Sequence, residues 1–220
     1  MTVSSTHFGP EQSPEQLRDL LSGDARKIAP LLLGSVLSHN SHEGTVAVRI
    51  TEVEAYMGPG DSLHPDPGSH TFRGPTARNA PMFGPAGHLY VYFTYGMHYC
   101  ANIVCGPAGA ASGVLLRAGE VVEGRHLAQV RRPTSKSPLD LASGPARLAT
   151  ALALTTADSG RDALAEPFEL RLPALPVLPY SSGPRVGVSG DGGSADYPWR
   201  FWLPGDPTVS RYKAAKVRRA

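Results

Sequence analysis

The chain reads as one domain of mixed helix and strand, and three observations carry that reading. Its 220 residues favour one sizeable core over two. Two stretches, 35–56 and 89–105, alternate at the strand period around turn residues, and four shorter segments carry helix caps or helical apolar spacing. Neither an internal repeat nor a domain linker interrupts them, although 24 Gly and 21 Pro announce many turns and long connections. The division expected is a flexible segment 1–12, a domain 13–205 and a basic tail 206–220.

In chain order, Ser13-Pro14-Glu15-Gln16 is a capping box with proline at the first helical position, and Leu17, Leu20 and Leu21 form a stripe ending at Gly23. Asp24 begins a second helical segment burying Ile28, Leu31 and Leu32, which Pro30 bends or shortens. Segments 35–39 and 45–56 pair as a hairpin around 40–44. Residues 58–86, rich in Pro, Gly, Ser, His and Arg, form a long irregular stretch; in compact domains such stretches are functional or disordered. In the second hairpin Leu89, Val91 and Phe93 share one face and Tyr90, Tyr92 and Thr94 the other. Tyr95-Gly96 supplies the turn, because glycine accepts positive φ, and the return strand runs from Met97 to Cys105. A strand follows over 113–118, then a helix over 121–131. Ser143-Gly144-Pro145 opens another helix with Leu148, Ala151 and Leu152 at core spacing, and its free N-terminal amides could hold a phosphate. Phe168, Leu170 and Leu172 alternate as a strand. After a proline-punctuated connection, 185–188 and 199–203 read as closing strands around the Gly-rich turn 189–194.

Composition narrows the function classes. No apolar run approaches the ~20 residues of a membrane span, and no signal region opens the chain, so a soluble, cytoplasmic protein is expected, nucleoid-associated if bacterial. Cys100 and Cys105 stand roughly 16 Å apart along a strand at ~3.3 Å per residue, too far for a disulfide. No zinc-type Cys/His spacing accompanies them, so neither a metal nor a disulfide is expected. The net charge of +2 is small but unevenly spread. No Asp or Glu occurs over 67–119, where Arg73, Arg78 and Arg117 lie. Further basic groups are Arg125, Arg131, Arg132 and Lys136, and then Arg211, Lys213, Lys216, Arg218 and Arg219. Such segments suit phosphate contacts, although solvated basic faces look the same in sequence.

Two features look chemical. Val46, Val48 and Ile50 share a strand face, and the same parity carries on to Glu52, Glu54 and Tyr56. In a regular strand two carboxylates would continue an inward face, where desolvation and like-charge crowding raise a carboxyl pKa and make a better base. The alternative is an edge strand whose acids face solvent and pair with arginines. The second feature is the hairpin, which holds four of the eight tyrosines around Gly96. An exposed aromatic tip needs an apolar receiver, such as a base step in a DNA minor groove. Ordinary sheet packing would also account for the aromatics.

Glu54-Ala55-Tyr56-Met57-Gly58-Pro59, Pro75-Thr76-Ala77-Arg78-Asn79, Met82-Phe83, Gly87-His88-Leu89-Tyr90-Val91-Tyr92, Tyr95-Gly96-Met97, Asn102, Leu115-Leu116-Arg117-Ala118, Ser143-Gly144-Pro145 and Arg185-Val186-Gly187-Val188 occur in this order. Together they resemble the alkyladenine (3-methyladenine) DNA glycosylase family over about residues 28–202. The resemblance implies a single α+β domain with a curved, mainly antiparallel β-sheet flanked by helices and a protruding β-hairpin. It also implies a monomer acting on double-stranded DNA with damaged purines, without a cofactor. Tyr95 would be the wedge that fills the vacated stack, with Gly96 and Met97 beside it. Tyr56, His70 and Tyr92 would sandwich the extruded base, and their electron-rich rings suit alkylated purines that carry positive charge. Asn102 would exclude the guanine amino group. Glu54 would be the general base, with Arg117 and the Val186 carbonyl helping to hold its water, and Gly187 would let the backbone approach DNA. Phosphate contacts are carried over to Thr76, Arg78, Ser143 and Arg147. His64 rivals His70, because the spacing of 60–67 departs from the family pattern, and His98 stands where that pattern has an aromatic.

An anionic Glu54 would stabilise oxocarbenium character on the sugar and take a proton from the attacking water. A lyase step would want a desolvated lysine, and Lys27, Lys136, Lys213 and Lys216 all lie outside the motif segments. A monofunctional glycosylase is therefore expected. Two other readings compete. One is a non-catalytic binder of damaged or distorted DNA; the other, a carboxylate-metal hydrolase using Glu52 and Glu54, lacks a supporting His/Asp cluster.

Overall fold

The computed structural model describes residues 12–173 and 177–215. The segment expected to be flexible therefore lies, apart from Gln12, outside the described residues, as do Lys216, Arg218 and Arg219. In chain order the elements are α1 (Pro14–Leu21), α2 (Ala25–Leu31), β1 (Val36–Ser41), β2 (Gly44–Tyr56), β3 (Leu89–Thr94), β4 (His98–Cys105), β5 (Ser112–Glu123), α3 (Arg125–Arg131), β6 (Ala142–Ser143), α4 (Pro145–Ala151), β7 (Phe168–Arg171), β8 (Ser181–Gly183) and β9 (Arg200–Trp202). The architecture is α+β. One sheet runs β3-β4-β5-β2-β1-β7, with β6 joined to β5, β9 to β2 and β8 to β9. Every strand pair is antiparallel.

Local chemistry explains the helices. The α1 capping box is present, with Ser13 Oγ accepting from the Gln16 amide and Gln16 Oε1 accepting from the Ser13 amide. Asp24 caps α2, and Pro30 sits inside that helix one residue before its end. Leu17, Leu21, Ile28 and Leu148 from the helices, with Leu152 just after α4, join Val46, Val48, Ile50, Leu89 and Ile103 from the strands in one core. All four helices contribute to that core, so it occupies one face of the sheet.

Strand β2 does not keep its parity. In the ladder with β5, Ile50 pairs with Gly119 and Glu52 with Ala118, so Thr51 is an extra residue; Val53 then pairs with Leu116, so Arg117 is extra on the other strand. Each bulge flips the side chains beyond it to the opposite face. The core receives Val46, Val48 and Ile50 before the bulge and Val53, Ala55 and Met57 after it. Glu52, Glu54 and Tyr56 therefore do not continue the apolar face, as regular alternation predicts, but project from the other side of the sheet.

Three other expectations shift. Strand β5 runs to Glu123, so Val121 to Glu123 are strand, and α3 starts at Arg125 after Gly124 (φ 68°). Residues 185–188 form a turn rather than a strand, and β8 lies before them. The hairpin's return strand starts at His98, because Thr94 pairs with His98 and Tyr95, Gly96 and Met97 form the loop. Its faces are as predicted: Leu89 and Val91 enter the core, while Tyr90 and Tyr92 pack with Met82 and Val104 on the other side. Phe93 is half-exposed against Tyr99, with ring centroids 5.1 Å apart.

Candidate active site

The sheet face opposite the core bears a cavity of about 350 Å³. Strands β2 to β5 supply its floor, the loops 67–70 and 186–189 flank it, and Tyr95 stands at its rim. Glu54 is fully buried on this floor, and three donors reach it. The Val186 amide donates to Oε1 at 2.6 Å, the Tyr56 hydroxyl to Oε2 at 2.9 Å, and Arg117 Nη1 lies 3.4 Å from Oε1. Burial, with Glu54 beside it, raises the Tyr56 pKa well above the ordinary phenol value, so Tyr56 stays a donor.

Glu52, also fully buried, has a different set of partners. Its Oε1 accepts from Arg200 Nε at 2.6 Å and Arg117 Nε at 3.0 Å, and its Oε2 from the Ser210 amide at 2.7 Å. The mutual crowding of carboxylates suggested by the sequence is thus relieved by two guanidinium groups. Burial works against the charge on Arg117, but Glu54 and Glu52 outweigh it and raise its pKa. Among the described residues no group of three or more His, Cys, Asp or Glu could hold a metal ion.

The aromatic wall comes from β3 and the loop before it. Tyr90 and Tyr92 stack at 5.3 Å, and the His70 ring stands edge-on to Tyr92 at 4.6 Å. His70 Nδ1 lies 3.2 Å from the Tyr90 hydroxyl, so Tyr90 does more than pack. Surrounding protein, helped by the Arg78 charge, lowers the His70 pKa. Both His64 and His70 are exposed, but only His70 lines the cavity. Asn102 is buried beside this wall, its Nδ2 donating to the Tyr90 carbonyl at 3.1 Å.

At the rim, Tyr95 is 85% exposed and Met97 68% exposed. Tyr95 has φ 52° and Gly96 φ 68°. The left-handed region costs a non-glycine residue roughly 1–2 kcal/mol, so the turn holds a bulky aromatic outward at the expense of backbone strain. Arg78 is exposed yet tethered, donating from Nη2 to the Phe93 carbonyl at 2.9 Å and lying 5.6 Å from the Tyr92 ring centroid. Thr76 is exposed in the turn closed by Asn79, and Arg147 is exposed but paired with Asp140. Ser143 ends β6, just before the turn at Gly144, and Pro145 lines the cavity. Gly187, at φ 70°, lines the opposite side, and a Cβ there would meet open space.

Sequence reasoning missed the pair that locks the flanking loops. Asp66 and Arg185, both completely buried, form a two-pronged ion pair with both distances 2.7 Å. Asp66 also accepts from the Met57 and Gly68 amides, and Arg185 donates to the Ala55 and Gly192 carbonyls. The Arg185 guanidinium lies 4.4 Å from the Tyr56 ring centroid, which seats one pocket wall. No periodic pattern marks Asp66 in its irregular loop; its only signal was an acid just before a long acid-free run.

A family model described as methylpurine-DNA glycosylase (MPG) matches residues 19–207. The chain belongs to the methylpurine-DNA glycosylase family. Proteins carrying the name "Putative 3-methyladenine DNA glycosylase" agree. The one from Leifsonia xyli subsp. xyli is 58% identical over 200 residues, 89% of this chain and 92% of its own. That from Streptomyces avermitilis is 53% identical over 215 residues, 96% of this chain and 97% of its own. That from Nocardia farcinica is 51% identical over 193 residues, 86% and 88%. Membership makes the chain a DNA N-glycosylase, a hydrolase of N-glycosyl bonds. No helix among the described residues is long and apolar enough to cross a membrane.

Proposed function

We propose that this glycosylase excises alkylated or deaminated purines from duplex DNA by extruding the nucleotide into the cavity and hydrolysing its glycosidic bond with a water activated by Glu54. The observation that carries this reading is a buried carboxylate on the floor of an aromatic-walled cavity whose rim presents an exposed tyrosine. Tyr95, with Met97 beside it, fills the gap left in the base stack; exposed apolar groups of this size are otherwise unfavourable in water. Tyr56, His70 and Tyr92 hold the base, and Asn102 crowds the position of a guanine amino group. As the C1′–N bond breaks, its electron pair leaves with the purine and positive charge grows on the sugar, facing Glu54. Water then forms the new bond at C1′ and gives its proton to Glu54. Arg117 Nη1, the Val186 carbonyl and the Glu54 carboxylate together hold that water. Thr76, Arg78, Ser143, Arg147 and the main chain at Gly187 meet the DNA backbone. No lysine among the described residues lines the cavity, which favours a monofunctional enzyme that leaves the abasic site intact.

The test is release of free base from alkylated duplex DNA by the wild type and by Glu54→Gln. Retained binding to abasic duplex with loss of release supports the reading. Full release by Glu54→Gln overturns the role of Glu54. Binding without release by the wild type makes the protein a recognition module instead.

A further inference from the structure

The segment after Pro207 lies beyond the residues matched by the family, yet it reaches Arg117, one of the three donors around Glu54, and Gly187, the residue beside another. Its start is anchored: Asp206 pairs with Arg49 at 2.8 Å, and Thr208 Oγ1 lies 2.8 Å from Thr51 Oγ1, the bulge residue of β2. Ser210 then makes three contacts with the buried charge cluster. Its amide donates to Glu52 Oε2 at 2.7 Å, its hydroxyl accepts from Arg117 Nη2 at 3.3 Å, and its carbonyl accepts from Arg200 Nη2 at 3.2 Å. Three residues on, the Lys213 carbonyl accepts the Gly187 amide at 3.1 Å, next to the Val186 amide that holds Glu54.

The distances show what fixes Arg117. Its Nε sits 3.0 Å from Glu52, whereas Nη1 is 3.4 Å from Glu54, long for a charge-assisted hydrogen bond, which is ordinarily ~2.7–2.9 Å. Arg117 is therefore aimed by Glu52 and Ser210, and its Nη1 keeps capacity for a water or the sugar. We propose that residues 208–213 form a strap that completes the active site, with Glu52 and Ser210 as positioning residues acting through Arg117. The Lys213 carbonyl does the same for the Val186–Gly187 turn. This rests on the reading of Glu54 and Arg117 as the groups that meet the reacting atoms.

The test uses the full chain and three measurements: single-turnover base release at saturating enzyme, affinity for an abasic-site duplex, and thermal melting. Ser210→Pro deletes the amide that Glu52 accepts. It should slow release about tenfold or more, since displacements near 1 Å at a site can cost ~100-fold, while abasic-duplex affinity stays within about threefold. Ser210→Thr keeps the amide and hydroxyl and should restore release to within about twofold of wild type. Should proline at 210 prevent folding, Thr208→Val loosens the anchor and should slow release about threefold with affinity unchanged. Release by Ser210→Pro, or by Thr208→Val in its place, within about twofold of wild type overturns the proposal, as does an equal loss of release and affinity. Glu54→Gln runs in parallel. If it releases base at the wild-type rate, the reading of Glu54 fails; if it is inactive while Ser210→Pro is unimpaired, only the strap fails.

Discussion

The two faces of the sheet are made by the same strands and do opposite things. Toward the helices, Ile50, Val53, Leu89 and Ile103 bury apolar surface with no polar demand to satisfy. Toward the cavity, Glu54, Tyr92 and Asn102 come from the same three strands and Arg117 from the neighbouring β5, and each buried polar side chain among the described residues has a partner. The difference is sharpest along β2, where the bulge at Thr51 turns both acids away from the core. Buried charges are costly unless paired, so the core face gives stability and the cavity face spends some of it on a prearranged site.

If the faces divide in this way, substitutions on them should separate stability from chemistry. The largest effect is expected at Glu54. Glu54→Gln keeps the shape but loses the carboxylate proposed as the base, and base release should fall about 10²- to 10⁴-fold while abasic-duplex binding persists. Asp66→Ala leaves Arg185 buried without its anion, and a loss of about 3–5 kcal/mol is expected in denaturant unfolding. Because this pair seats Tyr56, release should suffer along with stability. Ile50→Ala on the core face should cost about 2–5 kcal/mol and leave the rate of the folded enzyme nearly unchanged. If Ile50→Ala slowed release as strongly as Asp66→Ala, the two faces would have to be treated as one mechanical unit.

The same contrast explains which features were legible in the sequence. The core face was, because period two in β3 and the cap and stripe of α1 are local properties that tertiary structure did not override. The bulge was not. It is defined by the ladder with β5, and nothing within β2 says that Thr51 will have no partner on β5. Asp66 and Arg185 meet across 119 positions between two irregular loops, where there is no period to read. The strap was hidden for another reason. Two of the three Ser210 contacts, and the one at Lys213, are made by main-chain atoms that any residue carries. Glu54, Tyr92, His70 and Tyr95 stood out because the order of motif segments matched a family, and the cavity brings those four together.

The rim gives a smaller test. Tyr95 holds φ 52° with its side chain 85% exposed, so the folded protein gains little from the ring. Tyr95→Gly removes about 1 kcal/mol or more of left-handed strain, offset in part by the greater freedom of an unfolded glycine. Melting should therefore move little or rise. Affinity for an abasic-site duplex should nevertheless drop, since the ring proposed as the wedge is gone. A variant that melts lower and binds as before would assign Tyr95 to the fold instead of to DNA.

The smallest expected effect is a pH dependence at His70. Its pKa is lowered by the protein packed around it and then by Arg78, so the folded state binds the proton less readily than the unfolded chain. Unfolding then takes up a proton, and stability rises with pH through this region. The contribution is fully present above the ordinary histidine value of about 6.5 and is lost as the pH falls from there through the lower folded-state value. His70→Gln should flatten the acid side of the melting profile while leaving the neutral side in place. Arg78→Gln should narrow the same window, because one of the two causes is gone. If neither substitution changes the slope between neutral pH and pH 5, the ring is solvated well enough to titrate as in water, and the wall it forms with Tyr92 is looser than the 4.6 Å contact implies.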